Sequence, residues 1–200
     1  MEPIRNIRGT AAPLDRSDVD TDQIIPASWL KRVERTGFGV GLFSAWRESD
    51  PNFVLNRPEF SGASILITGP NFGIGSSREH AVWALTDYGF RAVISPRFGD
   101  IFRNNATKSG LVPIVVSPEF SETLMRAVEH DPQLEIIIDV AERWISAPAA
   151  GLEHDFPLDA FTQHRLLEGL DDIGLTLSHA DKIAEFESRR PAWMPRVVTA

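Results

Sequence analysis

Cysteine is absent from the 200 residues of this chain. Its absence excludes a disulfide framework and any metal or iron–sulfur site held by thiolates of this chain. Five histidines are present, but no two of them stand four residues apart, and none is grouped with carboxylates at metal-ligand spacing. We therefore expect no metal site built by this chain alone.

Long apolar runs are also missing. The longest uncharged stretch, residues 60–77, is broken by glycines and a proline and is too polar to span a bilayer. The first residues lack the basic-then-apolar pattern of a signal peptide, so a cytoplasmic location is expected. With 20 basic and 28 acidic side chains, the net charge of −8 has the wrong sign for sequence-independent binding of nucleic acid. We expect neither a membrane nor nucleic acid as a partner, whereas a small anionic substrate stays compatible with local positive charge.

The chain is organised around a glycine-containing stretch, Gly69 to Ala81, which follows a short apolar run and precedes a helical pattern. This order predicts a strand, a loop and the start of a helix. Gly73 and Gly75 permit positive φ and let a ligand approach the backbone. Ser76 and Ser77 are expected beside the unpaired amide groups of the new helix, where anions bind.

Two other interpretations of this stretch stay open. Ser76 and Glu79 have the spacing of a capping box, in which Ser76 accepts a hydrogen bond from the Glu79 amide and Glu79 reaches back. A nucleotide loop is the other interpretation, but the phosphate-loop pattern with its lysine is absent. The Gly73-x-Gly75 pattern also lacks the third glycine of the dinucleotide fingerprint.

Further along the chain, strand-like runs alternate with helical patterns. The predicted elements are a helix over 78–89, a strand over 92–95, a helix between 98 and 110, a strand over 112–116, a helix over 118–130 and a β hairpin formed by 134–139 and 143–147. This alternation predicts an α/β fold with right-handed crossovers. Helical patterns at 159–169 and 179–189 predict a helical appendage, from about residue 159 to 200, on a single domain. The apolar tail at 191–195 predicts a contact within the chain or with a partner.

Two segments before the glycine stretch also carry polar or flexible patterns. Asp20-Thr21-Asp22 lies on a short connection that Ile24-Ile25-Pro26 anchors, although Asp20 or Thr21 could simply cap a helical turn. Residues 30–56 have poor periodicity, and the glycines around Phe38 and Val40 predict a mobile loop that carries apolar groups over a cavity. A solvated connection is the alternative for that loop.

Three segments together resemble one family. They are Asp20 to Pro26, Gly69 to Ala81, and Arg97 to Asn105 with Gly110 to Ile114. In order and spacing they are similar to the swivelling domain of the aconitase superfamily, and specifically to free-standing small subunits of 3-isopropylmalate dehydratase. The resemblance covers most of the chain and implies a β/β/α swivelling-domain fold.

The resemblance also implies a chemistry. The family interconverts 2-isopropylmalate and 3-isopropylmalate by removing and re-adding water, a step of leucine synthesis, and Ser76 corresponds to its catalytic base. The implied substrate-binding residues are Ser77, Arg78, Thr21 and Asp22. The implied loop for substrate selectivity contains Leu30, Lys31, Arg32 and Val33.

The family's hydroxyl leaving group is polarised by an open iron of a four-iron four-sulfur cluster. Because this chain has no cysteine, the implied cluster belongs to a large subunit, and the active site is expected at the interface of the two chains. Two alternatives stay open: a small subunit of homoaconitase or of another dicarboxylate hydro-lyase, and a non-catalytic anion-binding regulatory module.

Overall fold

Thr10 separates two short strands that enter different sheets. The computed structural model describes residues 1–31, 36–76, 78–191 and 193–194, and in it β1 (Asn6–Gly9) and β2 (Ala11–Leu14) lie on either side of Thr10. β1 pairs antiparallel with a strand from the second half of the chain, whereas β2 starts a parallel sheet. In the sequence the two strands leave one continuous pattern, because a single residue separates them.

The parallel sheet is formed by β2, β3 (Ile65–Thr68), β4 (Ala92–Ser95) and β5 (Val112–Val115), in that spatial order. All three pairings are parallel, and the side chains of β2, β3 and β4 are buried throughout. Continuous burial is the property of a parallel sheet whose two faces are both covered. The strands predicted from the apolar runs are confirmed.

Helices connect and cover these strands. They are α1 (Thr21–Ile24) and α2 (Ser44–Ser49) before β3, α3 (Glu79–Tyr88) between β3 and β4, α4 (Asp100–Lys108) between β4 and β5, and α5 (Pro118–His130) after β5. α3 and α4 contact each other, while α5 contacts β2, β3 and β4. α5 begins where Ser117 Oγ accepts a hydrogen bond from the Phe120 amide at 3.2 Å, with Pro118 in its first turn. Short 3₁₀ turns at Ala27–Lys31, Gly39–Gly41, Val54–Asn56 and Pro58–Phe60 fill the connection from β2 to β3.

The second sheet is antiparallel, with the order β1, β6 (Ile136–Asp139), β7 (Trp144–Ala147) and β8 (Leu152–Asp155). The predicted hairpin is confirmed as β6 and β7. The sequence analysis missed β8, because this strand is only partly buried and its polar residues give little apolar signal. Apolar side chains of both sheets belong to one continuous core cluster.

Three helices follow the second sheet: α6 (Ala160–Glu168), α7 (Asp172–Leu177) and α8 (Ala180–Ser188). Leu166 of α6 is buried, and its carbonyl accepts a hydrogen bond from the Ile4 amide at 2.8 Å. Every side chain of α8 is exposed, and Trp193 is 79% exposed. α7 was not predicted, because it is only six residues long.

Asp172 connects this helical region to the parallel-sheet part of the fold. Its carboxylate accepts hydrogen bonds from Lys108 Nζ of α4 at 3.0 Å and from Arg165 Nη2 of α6 at 2.9 Å. The Lys108 hydrogen bond is the main cause that lowers the pKa of Asp172, and the charge of Arg165 adds to it. None of the helices in the described ranges has the length and apolar character that a membrane crossing requires.

Candidate active site

The loops that follow β2, β3 and β4 meet at the carboxyl edge of the parallel sheet. We call residues 15–20 the β2 loop and residues 69–76 the glycine loop. The Gly69 amide donates to the Arg16 carbonyl at 3.0 Å, and the Phe72 amide donates to the Arg97 carbonyl at 3.0 Å. The Thr21 amide also donates to the Ile74 carbonyl at 3.0 Å, so the three segments that carried the family resemblance are brought together, at the edge where open parallel sheets place their ligands.

Two buried hydroxyls at the strand ends support the glycine loop from below. Ser95 Oγ lies 2.8 Å from the Gly69 carbonyl and 2.9 Å from the Arg97 carbonyl, and Thr68 Oγ1 donates to the Gly69 carbonyl at 3.1 Å. Both side chains are fully buried, so these bonds satisfy groups that water cannot reach. The sequence analysis missed them, although a polar residue at the end of each apolar run was a usable signal.

The glycines of the loop are required for two different reasons. Gly73 has φ +73°, and a Cβ built there would lie 2.3 Å from the Phe102 ring. Gly75 has φ +92°, but among the described residues the atom closest to a Cβ there would be Asp20 Cβ at 3.5 Å. The predicted positive φ of both glycines is confirmed, and at Gly73 close packing adds a second requirement.

Asp20 caps α1, as one interpretation of the sequence allowed. Its Oδ1 accepts from the Gln23 amide at 2.8 Å, and Gln23 Oε1 accepts from the Asp20 amide at 2.8 Å. This reciprocal capping box fixes the first turn of the helix, in which Thr21 is buried. The capping function therefore belongs to Asp20 and leaves the Thr21 hydroxyl for another contact.

Thr21 contacts Ser76 across 55 positions of sequence. Its amide donates to the Ile74 carbonyl at 3.0 Å, which aligns the start of α1 with the glycine loop. Its Oγ1 lies 3.1 Å from the Ser76 carbonyl oxygen and 3.4 Å from Ser76 Oγ. Two residues singled out from separate motifs thus have their hydroxyls side by side.

The start of α3 differs from the expectation. The helix begins at Glu79 with Arg78 at its N-cap, and none of the described side chains caps it. The predicted capping box between Ser76 and Glu79 is wrong, as is the placement of Ser76 beside the helix's unpaired amides, because the extended backbone of Arg78 separates the loop from the helix. Ser76 is exposed, and Ser77 lies outside the described residues.

Arg78 and Asp22 form an ion pair through Arg78 Nη1 and Asp22 Oδ1. Arg78 leaves α3 and Asp22 leaves the first turn of α1, so the pair spans the same two segments as the Thr21–Ser76 contact. The side chain of Arg78 is 22% exposed and that of Asp22 is 52% exposed. A partly exposed guanidinium in the segment that follows Ser76 is suited to bind a carboxylate.

The structure describes only the first half of the segment predicted to select the substrate, Leu30 to Val33. Leu30 and Lys31 end the 3₁₀ turn Ala27–Lys31, whereas Arg32 and Val33 lie outside the described residues.

Phe38, which was predicted to lie on a mobile loop, is fully buried against α3. Its ring packs 5.4 Å from the His80 ring and 5.8 Å from the Trp83 ring, and its amide donates to Asp87 Oδ2 at 2.9 Å. A Cβ at Gly39 would lie 2.8 Å from the Tyr88 amide nitrogen, so the glycine lets the backbone reach the helix. The mobile-loop prediction is wrong at Phe38, because a large apolar ring gains more from burial than from exposure.

Aromatic rings also hold the β2 loop, which the sequence analysis did not foresee. Arg16 Cζ lies 4.2 Å from the centroid of the Trp46 ring, a cation–π geometry. Trp46 in turn stacks on Phe43 at 5.4 Å and contacts Phe53 at 5.8 Å. This cluster holds Arg16 in place and with it the β2 loop.

Comparison with known proteins defines the class of the fold. Residues 1–119 match the model of the aconitase C-terminal domain, and residues 172–200 match that of the C-terminal domain of the 3-isopropylmalate dehydratase small subunit. The chain therefore has the swivelling-domain fold of the aconitase superfamily, and the predicted α/β, β/β/α architecture is confirmed.

Full-length relatives narrow the class to one family. The chain is 62% identical to the 3-isopropylmalate dehydratase small subunit of Frankia alni, covering 99% of this chain and 100% of that protein. It is also 62% identical to the small subunit of Acidothermus cellulolyticus, with 98% of each covered. A solved 3-isopropylmalate dehydratase structure from Methanocaldococcus jannaschii superposes with a TM-score of 0.65 at 26% identity, covering 91% of this chain and 99% of that one. This chain belongs to the family of 3-isopropylmalate dehydratase small subunits, as the sequence resemblance predicted.

Proposed function

We propose that this chain supplies the proton-transferring and carboxylate-binding half of a two-chain 3-isopropylmalate dehydratase in leucine biosynthesis. The observation that carries the proposal is the convergence of the Thr21 and Ser76 hydroxyls, 3.4 Å apart, beside the Arg78–Asp22 ion pair at one open edge. The substrate is a malate derivative that is dehydrated to an alkene diacid and hydrated again with the hydroxyl moved. The cytoplasm is the proposed location.

Ser76 is the proposed general base. The proton it removes lies on a carbon next to a carboxylate and is weakly acidic, so the base has to be strong. A serine alkoxide is disfavoured in water, but nearby hydrogen-bond donors and positive charge stabilise it. The Thr21 hydroxyl is within 3.4 Å of Ser76 Oγ, and the Arg78 guanidinium stands two residues further along. In the proposal the Arg78 guanidinium and the Thr21 hydroxyl, once its proton turns from the Ser76 carbonyl to Ser76 Oγ, support the anionic form.

Arg78 is the proposed anchor for a substrate carboxylate. A guanidinium offers several N–H donors in one plane, and the ion pair with Asp22 engages Nη1. In the proposal Asp22 holds the guanidinium in place through Nη1, and the substrate carboxylate binds to donors other than that one. Ser77 adds a hydroxyl to the same group in the proposal.

Polarisation of the leaving hydroxyl has to come from the partner. The residues of this chain do not fit an iron–sulfur cluster, since the sequence has no cysteine. We therefore assign the cluster to the large subunit, where it supplies a Lewis acid at the substrate hydroxyl. This chain holds a substrate carboxylate, removes the proton from carbon, and excludes bulk water once its open edge is covered by the large subunit.

Selectivity for the isopropyl group is proposed to lie in Leu30, Lys31, Arg32 and Val33. Phe38 supports this role. It follows the segment in sequence and is buried on α3 against His80, which lies two residues after Arg78. Its burial therefore keeps the chain near the proposed carboxylate anchor. In a homoaconitase-like preference Lys31 and Arg32 would hold a carboxymethyl group, whereas in the proposal Leu30 and Val33 contact the isopropyl group.

Reconstitution with the large subunit tests the proposal. Ser76→Ala should lower turnover of 2-isopropylmalate by several orders of magnitude while complex formation and melting temperature stay close to wild type. Ser61→Ala, at another exposed serine outside the site, is the matched control and should keep full turnover. Near-normal turnover of Ser76→Ala would contradict the catalytic role.

A further inference from the structure

Two residues with left-handed backbone face each other across the β2 loop and the glycine loop. Of the described residues other than glycine, four have positive φ, and two of these are Asp18, at φ 56°, and Asn71, at φ 62°. Asn and Asp tolerate this conformation better than other L-residues, but it is still less favourable than the ordinary regions. Because both residues of one contact have this less favourable backbone conformation, we infer that the surrounding structure requires the conformation.

The two residues are joined through side chains and backbone. Asn71 Nδ2 donates to Asp18 Oδ1 at 2.7 Å, and the Asp18 amide donates to the Pro70 carbonyl at 2.9 Å. The first bond has an ionised acceptor, which makes it stronger than a bond between neutral groups. Together the two bonds fix which residue of the glycine loop stands opposite Asp18.

The same alignment continues towards the reactive hydroxyls. The Gly73 amide donates to the Val19 carbonyl at 2.8 Å, and the Thr21 amide donates to the Ile74 carbonyl at 3.0 Å. The Thr21 hydroxyl then reaches Ser76. A slip of one residue between the loops would break each of these bonds and carry Thr21 away from Ser76.

We propose that Asp18 and Asn71 are positioning residues, whose hydrogen bond sets the register of the β2 loop against the glycine loop and so places Thr21 beside Ser76. The proposal rests on the proposed function of Ser76. Asp18 is exposed and Asn71 is half-buried, so their bond adds little to global stability. Its effect is on the geometry of the site, where small displacements have large effects on rate.

An exchange of the two residues tests the proposal in the reconstituted enzyme. Asn71→Asp sets two carboxylates against each other, and Asp18→Gly removes the acceptor while still permitting the positive φ, whereas Asp18→Asn alone would keep a neutral Oδ1 acceptor. Each single variant should lower kcat by about tenfold or more with a smaller change in KM. The double variant D18N/N71D restores an amide–carboxylate bond in the reverse direction and should recover most of the lost kcat. Single variants with normal kcat, or a double variant no better than the singles, would overturn the proposal.

Amide hydrogen exchange separates this proposal from the role of Ser76. The Gly73 and Thr21 amides should exchange faster in both single variants and return to wild-type rates in the double variant. If Ser76→Ala were fully active, the catalytic proposal would fail, but the exchange pattern would still decide the register. Unchanged amide exchange in the single variants would refute the proposal that Asp18 and Asn71 set the register of the two loops. Asp131→Asn, in the turn after α5, is the control and should change neither kcat nor exchange at these amides.

Discussion

Substituting alanine for Gly73 and for Gly75 separates backbone strain from packing within one loop. Both glycines have positive φ, +73° and +92°. They differ in surroundings, because the added Cβ would lie 2.3 Å from the Phe102 ring at Gly73 but 3.5 Å from the nearest described atom at Gly75. The contact at Gly73 is far below van der Waals distance, so Phe102 or the loop has to move.

The expected magnitudes follow from these contacts. Holding alanine at positive φ destabilises the fold by about 1–2 kcal/mol, which is the whole effect expected for Gly75→Ala. Gly73→Ala adds overpacking of about 1–3 kcal/mol, giving roughly 2–5 kcal/mol in all. For a chain of this length, each kcal/mol lowers Tm by about 2–4 °C.

Equilibrium urea unfolding of the purified variants measures both changes. Gly62→Ala is the matched control, since Gly62 has φ +82° and an added Cβ would meet no described atom within 4 Å. Gly62→Ala and Gly75→Ala should agree within experimental error, and Gly73→Ala should be clearly less stable than either. Equal stability of Gly73→Ala and Gly75→Ala would refute the assignment of Gly73 to close packing.

Three further predictions concern the site, the partner and pH. Arg78→Lys keeps the charge but loses the planar fork, so catalytic efficiency should fall by roughly tenfold or more, corresponding to ~1.5–3 kcal/mol of charge-assisted bonding; unchanged steady-state kinetics would remove Arg78 from the substrate site. The chain purified alone should be colourless and inactive, and anaerobic titration with the large subunit should give activity that saturates near one-to-one; turnover by the metal-free chain alone would contradict the two-chain site. Asp159 caps α6, and hydrogen bonds from Thr162 lower the pKa of its carboxyl, so Asp159→Ala should reduce the free energy of unfolding by ~1 kcal/mol at neutral pH. Because the folded-state pKa is depressed, this difference should be fully present above about pH 4 and shrink as the pH falls further; a difference independent of pH would show that the charge has no part in the cap.

Local signals in the sequence predicted much of the fold. Apolar runs marked β3, β4 and β5, and the glycine after Tyr88 marked the end of α3, because these features depend on residues close together in the chain. The start of α3 was misjudged, since both Ser76 and Ser117 precede helical patterns but only Ser117 is an N-cap. Which of two similar serines caps a helix depends on the path of the chain before it.

The sequence by itself determined that this chain has no thiolate ligands, that its loop bends at Gly73 and Gly75, and that its motifs are those of dehydratase small subunits. These properties follow from composition and from contacts within a few residues. Only the tertiary structure decided that Thr21 meets Ser76, that Asp22 pairs with Arg78, and that Phe38 is buried on α3. Each of these contacts joins residues more than 40 positions apart. Parallel pairing brings the first two together by aligning the carboxyl ends of β2 and β3, and packing of the β2–β3 connection on α3 buries Phe38. The conformational preference of a residue carries no information about which distant residue it will contact. The alignment of the β2 loop with the glycine loop is therefore visible only in the tertiary structure.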